Sequence, residues 1–415
     1  MAALIAVHLA APREFGQAAI CTNSSGASQW QQFWNLHIAS LPLPTFLSAF
    51  RALLLTCWGA YAILLWAGAR LPQGLPRITA IGVTVLLAVA LFFPPTLSAD
   101  VYLYAGYGRT QVLYHGNPYV LGSELLEQHH DGVVQALQAS DTAPSWHFFW
   151  RTPSVYGPVW TLIEGATALP GKYISVNAQV LIFKLFGALC VLGCALVAKR
   201  FSKEAGTVHP TVAFAAMALN PALLLEGVAA AHNDAFVALG IIAFFLFTHL
   251  RRNGLAGICL GAVAGVKMLP FGLVPWGLAM IRLDGGHNRL RRAAVFVLAA
   301  TAPFIVGYAL YWHGLETFRA TLSYLKETEH SSPLPSIILY VGLTVLVFLK
   351  KDTALPAWAI TSIWLAIYTQ DHKVPWYMCW PVATALCRLD PIMQRIALLI
   401  STIAIISMLH SYAML

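Results

Sequence analysis

Ten apolar runs, each close to the length that crosses a lipid bilayer, leave this chain few ways to fold. They lie at about 46–69, 78–97, 177–198, 211–230, 233–250, 293–312, 334–349, 355–369, 375–388 and 395–413. A helix needs roughly 20 apolar residues to cross ~30 Å of hydrocarbon. Only 10% of the 415 residues are charged, against roughly 25% in soluble globular proteins. The expectation is an all-α, polytopic membrane protein of about 11–13 transmembrane helices, a single domain over residues 1–415. The run 254–281 is interrupted at Lys267-Met268-Leu269-Pro270. It predicts a hairpin of two short helices, tolerable only where the break is buried in protein or faces a polar cavity. Gly157 to Pro170, which carries Glu164, is also short; it suits a re-entrant or surface-lying helix.

The basic residues then sort by side. If the spans alternate, Arg70, Arg77, Lys199, Arg200, Lys203, Arg251, Arg252, Arg282, Arg289, Arg291, Arg292, Lys350, Lys351, Arg388 and Arg395 share one side, 15 of the 25 Lys and Arg. By the positive-inside rule that side is the cytoplasm. The net charge of +8 therefore needs no nucleic acid to explain it. Six of the seven cysteines fall in apolar runs, so no disulfide framework or zinc spacing is present. The other side receives a large external loop, residues 98–176, together with Ala231–Asp234, the break at Lys267, residues 313–333 and residues 370–376. A site assembled there from several helix ends is the economical expectation.

The external segments carry the unusual polar residues, and each has an ordinary alternative. Asp100 follows an apolar run that ends in Phe92-Phe93-Pro94-Pro95, with Tyr102, Tyr104, Tyr107, Arg109, Tyr114, His115, Asn117 and Tyr119 after it. On a helix, Asp100, Tyr104 and Tyr107 share a face. A carboxylate beside phenols at a membrane surface suits chemistry on hydroxylated, lipid-linked material; an interfacial aromatic belt with one solvated Asp fits equally. Glu226, His232, Asn233 and Asp234 sit at or near the same boundary, where unpaired charge is expensive. Asn233-Asp234 could instead cap the following helix. Lys267 needs an anionic partner, either a phosphate or a carboxylate such as Asp234; a snorkelling end is its alternative. Arg151 and Tyr156 lie at the loop's exit, and Asp371, His372, Lys373, Trp376, Tyr377 and Trp380 precede or begin a late span. No Walker loop, GxSxG or HExxH occurs.

Asp100, Tyr102 and Tyr104 followed by Gly116-Asn117-Pro118-Tyr119 resemble the first external motif of the GT-C superfamily of membrane glycosyltransferases. The match is nearest to polyprenol-phosphate-mannose-dependent bacterial mannosyltransferases. Asn220-Pro221 with His232-Asn233-Asp234, Val266 to Pro270, and Val374 to Tyr377 are similar to later blocks, in order from about residue 80 to 390. The resemblance implies a GT-C-like fold in the bacterial cytoplasmic membrane with the active site facing outside. It implies transfer of a sugar, mannose by resemblance, from a polyprenyl-phosphate donor to a hydroxyl on a glycan, glycolipid or protein acceptor. Asp100 would then be the general base, with Lys267, Arg109, His372 and Lys373 holding the phosphate. Tyr102, Tyr104, Asn117, Tyr119, Tyr156, His232, Asn233, Asp234, Asp371, Trp376 and Tyr377 would bind sugar or acceptor. Many GT-C enzymes carry two neighbouring acids in the first external loop, whereas Asp100 has none before Glu124; the second acid falls to Asp234 or Asp371. No cofactor is required, and the spacing gives no sign of a divalent cation, though the chemistry admits one. Broken helices with intramembrane charge also suit a transporter or flippase for a lipid-linked or anionic substrate, but the sequence shows neither paired repeats nor a midplane site.

Overall fold

The apolar runs fold as helices. The computed structural model describes residues 43–70, 75–92, 98, 100–134, 152–285, 287–328, 333–368 and 375–411. Among these there is no β-strand, only an isolated bridge between His313 and Leu315. Leu43–Arg70, Leu75–Phe92, Val176–Ala205, Asp234–His249, Arg289–Leu310, Leu334–Leu349, Ala354–Tyr368 and Pro391–Ser411 match expected spans, the largest difference being the end of Val176–Ala205 against an expected end at 198. The protein is an all-α membrane protein, as the hydropathy requires.

Its helices are more broken than the hydropathy suggests. Among the described residues, Val176–Ala205 and Arg289–Leu310 alone are long and apolar enough to cross a membrane uninterrupted. Pro210–Ala218 and Leu223–Ala229 would make a third span, bent by 57°. Asp234–His249, Asn253–Ala264 and Leu334–Leu349 hold 16, 12 and 16 residues, and 16 residues rise only ~24 Å. The bend has a local cause. Asn220 precedes a proline, which disfavours helical backbone at that position, and its side-chain oxygen accepts from the N–H of Ala222 and of Leu223. The chain restarts as a π-helical turn over Leu223–Ala229.

The break at Lys267 is packed against protein on one side: Gly265, Val266 and Pro270 are buried, whereas Met268 and Leu269 are exposed. The N–H groups of Gly157 and Val159 donate to the carbonyls of Val266 and Gly265, both at 2.8 Å. The helix Pro158–Ala168 is thereby docked onto the break. Trp160, Thr161, Glu164 and Gly165 form its buried face, and Leu162 and Ala166 its exposed one. Asn253–Ala264, just before the break, packs closely on Arg289–Leu310. An added Cβ at Gly257 or Gly261 would stand 2.4 Å from Phe296 O or 2.3 Å from Ala300 O, the small-residue approach typical of membrane helices.

The molecule has two chemically different ends. At one, Asp284 gathers cations from three separate connections: Arg251 at 3.9 Å, Arg292 at 3.7 Å, and Lys351. Asp234 begins the 16-residue helix whose last residue, His249, lies two before Arg251, so it is ~24 Å away at the other end. That second end holds the candidate site.

Candidate active site

Asp100 opens the helix Asp100–Val112, where the exposed N–H groups of a first turn favour a carboxylate. Its backbone N–H donates to Ser98 Oγ at 3.1 Å. The Tyr156 hydroxyl donates to Asp100 Oδ2 at 3.3 Å, and that of Tyr104, one turn along, lies 3.5 Å from the same oxygen. Tyr104 is fully buried, edge-on to Tyr156 and to Trp160 at 5.1 and 5.0 Å between centroids. Two phenols thus face one carboxylate oxygen. Burial lifts the Asp100 carboxyl above the usual carboxylate range, while the Lys267 ammonium pulls it back down.

The second half comes from the corner after the π-helical turn. His232 presents Nδ1 to Asp100 Oδ2 at 3.9 Å and Nε2 to Glu226 Oε2 at 3.8 Å. Its ring stacks on Trp376 at 4.2 Å with a 20° interplanar angle. Burial, reinforced by the charge of Lys267, holds this imidazole well below its ordinary range and therefore neutral. Ala231, just before it, takes a left-handed φ of 58°, a strained setting for a residue with a Cβ, of the kind found at functional sites.

Lys267 donates to both carboxylate oxygens of Asp234 at 2.8 Å, and its Nζ lies 4.2 Å from the Tyr377 ring centroid. Of the two partners the sequence offered Lys267, the structure shows the carboxylate. Asn233 immediately precedes this helix without capping it. It is 1% exposed, and neither side-chain polar atom has a hydrogen-bond partner among the described residues.

Asp100, Tyr104, Tyr156, His232, Asp234, Lys267, Trp376 and Tyr377, far apart in sequence, are therefore joined by contacts and charge at one end of the molecule. Other candidates sit elsewhere. Arg109 is nine residues along the helix from Asp100, ~13 Å, and is spent on structure: its Nε donates to both Asp131 oxygens at 2.8 Å and its Nη1 to Ile174 O at 3.3 Å. Asn117 donates to Tyr311 O at 2.9 Å. The Tyr119 hydroxyl lies 2.9 Å from Tyr156 O and braces that segment from behind. Tyr102 is 2% exposed, within the packed interior. Asp371, His372 and Lys373 lie outside the described residues. Glu226 is the addition that the candidate set lacked; its sequence signal was an ionisable group inside an apolar run. No three His, Cys, Asp or Glu among the described residues are grouped to hold a metal ion.

The chain is similar to known proteins over much of its length. Alpha-(1->6)-mannopyranosyltransferase A of Mycobacterium tuberculosis is 25% identical over 345 residues, 72% of this chain and 63% of that relative. The chain thus spans under two thirds of the relative's length. No solved structure matches it. The family model described as Alpha-(1->6)-mannopyranosyltransferase, N-terminal domain, matches residues 3–282. That stretch takes in Asp100, Tyr156, Glu226, His232, Asn233, Asp234 and Lys267. With more than half its length matched, and the GT-C motifs in order within it, the chain belongs to the alpha-(1->6)-mannopyranosyltransferase family.

Proposed function

We propose that this protein is a membrane mannosyltransferase. It moves mannose from a polyprenyl-phosphate carrier to a hydroxyl of a glycan acceptor, on the outer face of the bacterial cytoplasmic membrane. The observation that carries the proposal is the Asp100 carboxylate held by two phenols beside the Lys267–Asp234 pair, at the end opposite the basic connections. The positive-inside rule, by which the basic end is cytoplasmic, supports an outward-facing site. The α-(1->6) linkage in the family's description supports a primary 6-hydroxyl as the acceptor group.

The chemistry needs few groups. Asp100 takes the hydroxyl proton as the oxygen attacks the anomeric carbon. The leaving group is a lipid phosphate, and Lys267, oriented by Asp234, offsets the charge that develops on it. An ammonium has three donors, so the bonds to Asp234 leave capacity for a phosphate oxygen. Buried, unpartnered Asn233 is a ready partner for sugar hydroxyls, since a buried amide without partners is unfavourable. Trp376 and Tyr377 offer stacking faces. Bilayer lipid surrounds the helices and brings the polyprenyl chain sideways to the site.

The test is transfer by the purified protein in detergent, from polyprenyl-phosphate-[14C]mannose to a short α-mannan oligosaccharide. Label appearing in the water-soluble glycan supports the proposal. Label that stays on its lipid while crossing a proteoliposome bilayer would point to a flippase instead.

A further inference from the structure

Asn233 stands between the two halves of the site, and its amide is idle in the free protein. Its backbone carbonyl accepts from the N–H groups of Phe236 at 3.0 Å and Val237 at 3.2 Å, so the first turn of Asp234–His249 fixes its place. Its main chain also meets the Tyr104 hydroxyl, which lies 3.5 Å from Asp100 Oδ2. The residue before it, His232, faces that same oxygen at 3.9 Å, and the residue after it, Asp234, holds Lys267 at 2.8 Å. Asparagine is a good N-cap, yet this side chain caps nothing. Neither Nδ2 nor Oδ1 has a hydrogen-bond partner among the described residues. A buried amide with both atoms unused is unfavourable. It is tolerable in a site whose ligand brings the partners.

We infer that Asn233 binds the 2-hydroxyl of the mannose being transferred, and so selects mannose among donor sugars. The inference rests on the proposed function, with Asp100 as base and Lys267 on the leaving phosphate. In an in-line displacement the anomeric carbon lies between those two groups, because the acceptor oxygen enters from one and the phosphate departs toward the other. Asn233 is tied to both, which puts its amide beside that carbon. Two ring atoms flank the anomeric carbon: the ring oxygen and C2. As the phosphate leaves, positive charge builds on the anomeric carbon and the ring oxygen, so an amide N–H is badly matched to that oxygen. C2 carries a hydroxyl, which both donates and accepts, and a free amide offers one acceptor and one donor group in return. Hydrogen bonds to a 2-hydroxyl strengthen in a transition state of this kind, so the contact speeds transfer as well as binding the sugar. Mannose and glucose differ only in the orientation of this hydroxyl. One residue at this place therefore sets the choice between them.

Donor discrimination tests this with the full chain in detergent and the short α-mannan acceptor. The radiolabelled donors are polyprenyl-phosphate-mannose, its 2-deoxymannose analogue and its glucose epimer. For each, kcat/KM is measured with the wild type and with Asn233→Ala. The donors differ in intrinsic reactivity, but that difference cancels when the wild-type ratio is divided by the variant's. Asn233→Ala is expected to slow mannose transfer about tenfold or more and to leave 2-deoxymannose transfer nearly unchanged. The preference for mannose over 2-deoxymannose then falls by that factor, and the preference over glucose falls with it. The melting temperature should stay near that of the wild type, since the amide makes no bond within the protein. Should that variant fail to accumulate, Asn233→Leu, which keeps the branched shape without polar atoms, is expected to give the same ratios. A substitution that slows all the donors equally would overturn the inference, as would one that slows none. Wild-type protein that transfers no mannose from the lipid would instead overturn the proposed function, so the two failures are distinct.

Discussion

Lys267 shows what a single residue does here. Its side chain is 13% exposed and that of Asp234 1%, so removing the cation strands a buried carboxylate, a loss of about 3–5 kcal/mol for a broken buried pair. Lys267→Met should therefore lower both stability and donor use. Adding Asp234→Asn should restore the melting temperature without restoring transfer; recovery of both would make the pair structural only. Lys267→Arg should keep part of the transfer, since it keeps the charge. The pH dependence has a definite sign as well. Burial raises the Asp100 carboxyl and Lys267 lowers it, so transfer should fail on the acid side at a pH above that of a free aspartate, about 4. Any Lys267→Met protein that folds should fail at a still higher pH, which a kcat/KM profile would reveal. Asp100, His232, Asp234 and Lys267 were legible in the sequence because ionisable groups at membrane depth are costly and need a reason. Arg109 was not, because nothing in its spacing announces a partner 22 residues away at Asp131. Glu226 stood out beside His232 and Asp234 but carried no role in the sequence, because it lies in a run that reads as one uninterrupted span.

At the scale of elements, hydropathy located the helices but not their interruptions. Apolar side chains suit an α-turn, a π-turn and a bend alike, so composition cannot tell which one Leu223–Ala229 adopts. The Asn220-Pro221 pair was the available cue, and the capping bonds of Asn220 show how it acts. The break at Lys267 was readable because two pieces too short to cross alone must find partners in protein. Which segment supplies them was not readable, since Gly157 lies more than a hundred residues upstream of Gly265. That docking can be tested. A Cβ at Gly157 would stand 2.4 Å from Gly265 O, so Gly157→Ala should force the segments apart. The expected loss is about 1–3 kcal/mol of stability by overpacking, seen as a lower melting temperature in detergent. Transfer should fall too, because Tyr156, a donor to Asp100, is the preceding residue. A variant with wild-type melting and transfer would show that the break does not need this partner.

For the whole molecule, the division into a basic end and a site end carries the argument from topology to function. Charge and hydropathy, read independently, sorted the same connections to one side, and Arg251, Arg292 and Lys351 from three of them meet at Asp284. Single-cysteine labelling with a membrane-impermeant reagent, in a background without the native cysteines, assigns the two ends to the two faces. Exposed Gln128 replaced by Cys should label in intact cells, and exposed Lys350 replaced by Cys only after permeabilisation; the reverse pattern would turn the site to the cytoplasm. The deciding measurement is turnover of Asp100→Asn at saturating donor, alongside a check that it still binds the donor. The side chain keeps its size and its place between Tyr156 and His232 but no longer takes a proton. With Asp100 as the base, transfer falls by about 10²–10⁴-fold while donor binding remains. Turnover near that of the wild type would contradict the account and move the base to another carboxylate, with Asp234 the next to test.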